Sequence, residues 1–259
     1  MEVVVLGSGT STGVPVVAQA DGLCDLQDAR NWRTRSSVHV SAAGYHLQID
    51  AAPEFRLQCL ENRIPAVHAF ILTHGHADHI LGMDDLRRFC NLNGNVALPV
   101  YGPPEALQRV QQVFPYAITS APVEYGYPAF TLIEATPSWE LGPFLIQSTL
   151  LPHGSIQTLG TIIEEVSTGA RFTYFTDCGS VPPEAVELAR ETDLLILDGL
   201  RPKPHRSHLS IPQAIEVSRQ IGARRTYLTH LTAFVDHHST ENELPPEVRL
   251  AYDGLRLSV

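Results

Sequence analysis

The feature that most constrains this chain is a six-residue stretch that contains three histidines and an aspartate. It reads His74-Gly75-His76-Ala77-Asp78-His79. Neutral imidazole and carboxylate are the side chains that zinc, manganese and iron prefer as ligands, and the stretch offers enough of them to begin two metal sites. An apolar run typical of a buried strand precedes it, and apolar residues at helical spacing follow. We therefore expect a strand-to-helix loop that directs these side chains into one cavity.

Three other strand-like segments are each followed at once by a residue of ligand type. Segment 145–151 leads to His153, segment 171–176 leads to Asp177, and segment 226–229 leads to His230. Taken alone, a His or Asp in such a place is most often a turn residue or a solvated surface group. Strand ends in α/β folds meet at one edge of the sheet, where sites usually form. The repeated pattern predicts that all four segments converge on one metal centre.

The composition of the whole chain favours a globular cytoplasmic protein. Its 259 residues are 44% hydrophobic, enough for a large core, and contain no repeat or long linker, so we expect one domain over 1–259. The first residues lack the pattern of a signal peptide, and no stretch approaches the roughly 20 apolar residues of a membrane helix. The four cysteines are widely spaced and show no paired pattern, so we expect free thiols in a reducing compartment.

The charge of the chain bears on its partners. The net charge is −10, whereas proteins that bind nucleic acids normally show a basic footprint. Two bound divalent cations would add positive charge at one place and attract a small anion there. We expect a small anionic substrate and no nucleic acid or membrane partner. A homodimer is left open.

The ligand-type residues together resemble those of the metallo-β-lactamase superfamily. The hexapeptide matches its HxHxDH signature, and the three later residues match its remaining ligands in order and approximate spacing. The resemblance implies an α/β fold, an αββα sandwich of two mixed β-sheets flanked by helices. It also implies two divalent ions, zinc or manganese. The first would be held by His74, His76 and His153, the second by Asp78, His79 and His230, with Asp177 bridging them.

The expected elements of the chain agree with that fold. Strand-like runs occur at 3–6, 37–40, 46–49, 69–72, 145–151, 159–164, 172–176, 194–197, 226–229 and 255–259. Helical spacing occurs at 80–89, 104–113, 184–190 and 211–221.

Five further segments resemble one branch of the superfamily, the phosphodiesterases of the carbon–phosphorus lyase pathway. They are 7–16, 33–37, 84–87, 100–103 and 251–255. Those enzymes open 5-phosphoribosyl 1,2-cyclic phosphate, and ribonuclease Z is a cousin that shares the glycine-rich opening. That opening lacks the lysine of a P-loop. Gly7, Gly9 and Gly13 can therefore serve a tight turn beneath the metal site without forming a phosphate-binding loop.

His208 is the residue that bears most on the reaction. In the phosphodiesterase and ribonuclease Z branches, a histidine in this position is taken to protonate the departing alkoxide. An alkoxide is a poor leaving group, and an imidazole with a pKa near the working pH can supply the proton. The alternative is that His208 merely precedes a helix capped by Ser210, which is compatible with catalysis. We count His208 and Asp78 as catalytic, and expect His205 to be an exposed loop residue.

Several other residues have two open interpretations. Asp50 and Asp198 end strand-like runs, where each could accept a hydrogen bond from a ligating imidazole or simply form a turn. Arg33, Arg35 and Arg87 could bind a substrate phosphate or form ordinary ion pairs.

One departure from the phosphodiesterase branch concerns its accessory structural zinc, which many members hold with three cysteines and a histidine. The matching positions here are Gln19, Asp21, Cys24 and Ala233. A single thiolate cannot hold zinc tetrahedrally, so we expect no accessory structural zinc and an ordinary thiol at Cys24. This difference weakens the case for the cyclic ribose phosphate as substrate.

The sequence therefore predicts a dinuclear metal-dependent phosphodiesterase for a small diester, cyclic ones included. A metal-bridging hydroxide would attack phosphorus, and His208 would act as general acid. A tRNA 3′-processing nuclease of the ribonuclease Z type would need a basic arm, which the chain lacks. A thioester, lactone or lactam hydrolase would leave His208 without a role. A non-catalytic metal-binding paralogue does not explain the complete ligand set.

Overall fold

Two seven-stranded β-sheets form the centre of the protein, whose computed structural model describes residues 1–19, 23–119 and 126–259. The first sheet contains the strands β1 (Glu2–Gly7), β2 (Ser37–Ala42), β3 (Tyr45–Ile49), β4 (Ala69–Ile71), β5 (Leu98–Gly102) and β6 (Phe130–Glu134) in that order, with β14 (Arg256–Ser258) beside β1. The strands from β14 to β3 pair antiparallel, and those from β3 to β6 pair parallel.

The second sheet is also mixed. It contains β7 (Ser138–Leu141), β8 (Phe144–His153), β9 (Ile156–Glu165), β10 (Ala170–Phe175), β11 (Leu194–Asp198), β12 (Thr226–Thr229) and β13 (Val248–Leu250), in sequence order across the sheet. The strands from β7 to β10 pair antiparallel, and those from β10 to β13 pair parallel.

Helices cover the outer faces of both sheets. They are α1 (Phe55–Glu61), α2 (Ala77–Ile80), α3 (Arg87–Leu92), α4 (Pro104–Val113), α5 (Pro183–Leu188), α6 (Ile211–Ile221) and α7 (His237–Glu241), with 3₁₀ turns at Ala29–Asn31, Met83–Leu86 and Pro115–Ala117. Alternate residues of β1 separate the layers: Val3 and Val5 pack between the sheets, whereas Val4 and Leu6 pack toward the helices. Both faces of the central strands are therefore buried, which explains their continuous apolar runs.

The predicted αββα sandwich is confirmed. Every expected strand is present, and α4 and α6 have the expected bounds. Four strands, β5, β6, β7 and β13, were not predicted, nor were α1 and α7. Within the described residues, no helix combines the length and apolar character needed to cross a bilayer.

The prediction of one continuous helix over 80–89 is wrong. The chain forms the single turn α2, then a 3₁₀ turn, then α3. Gly82 explains the break, because it donates a hydrogen bond to Ala51 O at 2.9 Å and a Cβ at this position would lie 2.0 Å from Ala52 O. The chain bends here to pack against the loop after β3.

Candidate metal centre

The histidine-rich stretch leaves β4 and turns into α2 at the edge where the strands of both sheets end. α2 carries Asp78 and His79, both buried, and His76 precedes it. His153 ends β8, Asp177 follows β10, and His230 follows β12. The predicted convergence of four strand ends is therefore present in the structure.

Three residues at this edge have left-handed backbone conformations. The φ angles are 58° at Asp50, 53° at Asp177 and 61° at His230. Such conformations cost L residues about 1–3 kcal/mol and concentrate at functional sites. Asp50 and His230 follow their strands directly, and Asp177 follows β10 after Thr176, so each of the three lies in the turn where its strand ends.

The first cluster consists of His74, His76 and His153. Their potential ligand atoms all lie within 4.8 Å of one another, and the ring centroids are 4.5 Å apart for His74 and His76. Burial lowers the pKa of His74 well below its ordinary value and also lowers that of His153. Both imidazoles are therefore held in the neutral form, which is the form that binds a metal ion.

The second cluster consists of Asp78, His79, Asp177 and His230, whose potential ligand atoms also lie within 4.8 Å of one another. Asp177 Oδ1 lies 3.0 Å from His230 Nδ1, and Asp177 Oδ2 lies 3.3 Å from His79 Nε2. The same Oδ2 is 3.8 Å from His74 Nε2 in the first cluster. Asp177 thus stands between the clusters, where a bridging ligand is predicted.

The chemistry of these groups fits two divalent cations. His79 Nε2 is buried and has no hydrogen-bond partner among the described residues. Burial lowers the pKa of His79, but the charges of Asp177 and Asp50 outweigh that effect and raise it well above its ordinary value. A divalent cation would take the place of that proton. Imidazole nitrogens with two buried carboxylates form a donor set suited to zinc or manganese.

Neighbouring groups orient the predicted ligands. Asp50 Oδ2 accepts a hydrogen bond from His79 Nδ1 at 2.6 Å, which agrees with the first of the two interpretations of Asp50. The same oxygen accepts a hydrogen bond from the Thr73 hydroxyl at 2.8 Å. His153 Nδ1 donates to Ser207 O at 3.0 Å. These contacts leave Nε2 of each imidazole free for a metal ion.

Asp198 contacts His208 and not one of the predicted ligands, so the first of its two interpretations does not hold. Its Oδ2 lies 2.7 Å from His208 Nδ1, and its carboxylate also accepts hydrogen bonds from Cys178 N at 2.9 Å and Leu200 N at 3.2 Å. The His208 ring lies 4.8 Å from that of His153 and 4.9 Å from that of His230, so His208 borders both clusters. Burial lowers its pKa, but the hydrogen bond and charge of Asp198 outweigh this and raise it.

The three candidate arginines have structural partners. Arg33 is buried and donates to Val235 O at 2.9 Å and to Asn31 Oδ1 at 3.0 Å. Arg35 pairs with Glu54, and Arg87 pairs with Asp84. The ion-pairing or structural interpretation therefore describes all three better than phosphate binding does.

His205 is half-buried rather than exposed, because its ring lies 5.2 Å from that of His208 and Ser207 Oγ lies 3.2 Å from its Nδ1. Ser210 is the N-cap of α6, and its backbone and hydroxyl groups both donate to Gln213 Oε1.

The glycine-rich opening has a packing role. A Cβ at Gly7 would lie 2.0 Å from Arg35 O, and one at Gly9 would lie 2.8 Å from Arg33 O. At the positions that match the accessory zinc site, Cys24 and Ala233 pack with Val14 in a small apolar cluster, and Cys24 is a free thiol. Gln19 accepts a hydrogen bond from Val16 N at 2.8 Å. Asp21 lies outside the described residues.

A cavity of about 1290 Å³ opens beside the first cluster, with His74 and His76 in its wall. The start of α4 and the turn between β8 and β9 form much of the rest. The described lining contains three carboxylates, Glu105, Glu134 and Glu184, and one guanidinium, Arg109. Sequence reasoning did not select Arg109, because no motif distinguishes it from other arginines on helices.

A two-sheet sandwich with a His/Asp cluster at one edge defines a class of metal-dependent hydrolases. The family model described as "Beta-lactamase superfamily domain" matches residues 45–231. The chain belongs to this family, and the predicted membership of the metallo-β-lactamase superfamily is confirmed.

Comparison with known proteins shows three relatives of interest. A crystal structure described as a new diphosphatase from the PhnP family is 32% identical, with a TM-score of 0.89 over 100% of this chain and 97% of that one. Zinc-bound PqqB from Methylobacterium extorquens shares the fold, with 22% identity and a TM-score of 0.78 over 100% of both chains. An octanoyltransferase from Porphyromonas gingivalis is 35% identical over 98% of this chain and 51% of the relative. The chain thus spans about half the length of that relative.

Proposed function

We propose that this protein is a metal-dependent phosphodiesterase that acts on a small anionic phosphodiester. The observation that carries the proposal is the His208–Asp198 pair at the border of the two predicted metal sites. A buried carboxylate that orients an imidazole and raises its pKa is the arrangement that a general acid requires. An alkoxide leaving group needs such an acid.

In the proposed reaction, divalent ions held by the two clusters would supply the Lewis acidity that activates water and stabilises charge on the phosphoryl oxygens. His208 Nε2 donates its proton to the leaving oxygen. Asp198 holds Nδ1 of the same ring, so it fixes the orientation of the imidazole. Asp78 belongs to the second cluster, and its proposed catalytic contribution is made as a ligand.

The charges that line the cavity favour a small substrate over a nucleic acid. The three glutamates in its described wall would repel a chain of phosphates, whereas Arg109 provides a place for one anionic group. The similarity to a diphosphatase also supports cleavage of a phosphorus–oxygen bond. Diphosphates are therefore the second substrate class to assay.

Hydrolysis of a thioester is the alternative suggested by the octanoyltransferase. We rank it lower for two reasons. The chain matches only about half of that relative, and a thiolate leaves without protonation more readily than an alkoxide because thiols have a pKa near 8.5. The His208–Asp198 pair would have little to do in that reaction.

The test compares wild type with His208→Ala on two diesters, in protein loaded with zinc or manganese. We expect His208→Ala to lower kcat about 100-fold or more on a 2′,3′-cyclic nucleotide, whose leaving group is an alkoxide. The loss should be much smaller on bis(4-nitrophenyl) phosphate, because nitrophenolate needs no proton. His205→Ala, which alters the neighbouring imidazole, is the matched control.

Full activity of His208→Ala on the cyclic nucleotide would contradict the acid role. Turnover of thioesters but of no phosphodiester or diphosphate by the wild type would contradict the proposed function itself. A bound metal content near one ion per chain would contradict the dinuclear assignment.

A further inference from the structure

Two of the segments that resemble the phosphodiesterase branch, 7–16 and 33–37, meet at a carboxylate of a third, 251–255, which is far from them in sequence. Asp253 lies in the turn between β13 and β14. Its Oδ1 accepts hydrogen bonds from Ser8 N at 2.9 Å and Ser8 Oγ at 2.8 Å. Its Oδ2 accepts from Thr34 N at 2.7 Å and Thr34 Oγ1 at 2.6 Å. One carboxylate therefore joins the loop after β1 to the segment before β2.

The two joined segments each place a hydroxyl against His230. Thr10, two residues beyond Ser8, has its Oγ1 3.2 Å from His230 Nε2. Ser36, two residues beyond Thr34, has its Oγ 3.2 Å from His230 Nδ1. The hydroxyls contact opposite nitrogens of one imidazole, so together they restrict the rotation of its ring in the metal-free protein. With a cation on one nitrogen, the hydroxyl at the other nitrogen would still hold the ring.

The backbone around His230 is tied to the same loop. Leu231 N donates to Ser8 O at 2.9 Å, and Thr10 N donates to Leu231 O at 3.1 Å. Ser8 thus bonds to Asp253 through its amide and to the residue after His230 through its carbonyl. Because His230 has a left-handed φ of 61°, its backbone depends on such external contacts to stay in place.

We infer that Asp253 is a positioning residue for the second metal site. It acts on His230 through Ser8 and Thr34, which set the places of Thr10 and Ser36. Its ionised carboxylate satisfies four donors at once, and an amide cannot do this, because the amide nitrogen would face a backbone N–H or a hydroxyl hydrogen. Gly7 and Gly9 fit this role, because they let the loop approach the 33–35 segment closely.

The experiment titrates metal-free protein with Co²⁺ and with Zn²⁺ in competition with a chelator. We expect Asp253→Asn to weaken the second binding event about 10- to 100-fold, which is typical for loss of an outer contact to a metal ligand. The first event, assigned to His74, His76 and His153, should be unchanged. The Co²⁺ absorption bands of the second site should change with it. This readout needs no substrate, so it is independent of the proposed phosphodiesterase activity.

Asp193→Asn is the matched control, since Asp193 also accepts a backbone hydrogen bond, from Arg171 N at 2.9 Å, but lies outside both clusters. A cycle with Thr10→Val and Ser36→Ala separates positioning from general instability. If Asp253 acts through these hydroxyls, Asp253→Asn should cost much less metal affinity when both are already removed. Equal weakening of both metal sites, unchanged affinity, or an additive cycle would overturn the inference.

Discussion

The carboxylate of Asp253 is held in an environment that changes its acidity as well as its contacts. Burial raises the pKa of Asp253 to about 6, although the hydrogen bonds from Thr34 and Ser8 oppose that rise. Because the folded protein then binds this proton more tightly than the unfolded chain does, the contribution of Asp253 to stability is greatest at low pH. It declines as the pH rises from about 3.8 to about 6 and is constant above that range.

This pH dependence should distinguish metal-free wild type from Asp253→Asn, whose amide side chain does not titrate. Between pH 5 and pH 7 the free energy of unfolding of the wild type should fall by about 1 kcal/mol relative to the variant, out of about 3 kcal/mol for the full titration. Urea unfolding at several pH values measures the difference, and titrations common to both proteins cancel. A difference that stays constant, or that favours the wild type as the pH rises, would contradict the raised pKa.

The sequence revealed the candidate metal ligands but not the partners of several other polar residues. The ligand-type residues were recognisable because three imidazoles and a carboxylate in six positions have few structural explanations. The partner of Asp198 was left open, because a strand end shows where a carboxylate lies but not which of several nearby imidazoles it meets. The contact of Arg33 with Val235 O and the contacts of Asp253 depend on segments about 200 residues or more away in sequence, which no local pattern contains.

Among the elements, strands with clear apolar runs were predictable, whereas a proline or a share of polar residues concealed others. β1 and β11 show continuous apolar runs because both of their faces are covered. β5 contains Pro99, which argues against a strand, and β7 is a short edge strand with mostly polar or half-buried residues. The break between α2 and α3 was missed because it comes from contact with the loop after β3, not from the apolar spacing of the helix.

That contact gives a prediction for Gly82→Ala. The added methyl group would meet Ala52 O, so either the loop after β3 or the α2 turn must move. We expect a loss of about 3 kcal/mol in the free energy of unfolding, at the upper end for overpacking because the obstacle is backbone. The movement would also displace Asp50 from His79, so affinity at the second metal site should fall.

Gly44→Ala is the control for that substitution. Gly44 lies in the turn between β2 and β3 with a φ of 76°, but open space surrounds its Cβ position. Its substitution should cost about 1 kcal/mol, the conformational part alone, with metal affinity unchanged. Equal losses in the two variants would show that the contact with Ala52 is not what constrains Gly82.

At the scale of the whole molecule, the metal clusters join the two sheets. The first sheet contributes the ligand-type residues that follow β4, which are His74, His76, Asp78 and His79. The second sheet contributes those at the ends of β8, β10 and β12, which are His153, Asp177 and His230. The sequence predicted this convergence because parallel strands present their carboxyl ends at a common edge. Each cluster draws ligands from both sheets, so bound cations should resist separation of the two layers.

Metal removal should therefore lower the stability of the fold as a whole. A ligand present at 1,000 times its Kd stabilises the folded state by about 4 kcal/mol, and in a protein of this size each kcal/mol moves Tm by about 2–4 °C. We expect removal by a chelator to lower Tm by about 10 °C or more, and re-addition of zinc or manganese to restore it. His230→Gln should reduce this metal-dependent increment. His237→Gln, which replaces a buried histidine paired with Glu241 outside the clusters, should lower the starting Tm but keep the increment. A Tm that does not respond to metal would contradict the assignment of the clusters as cation sites that join the sheets.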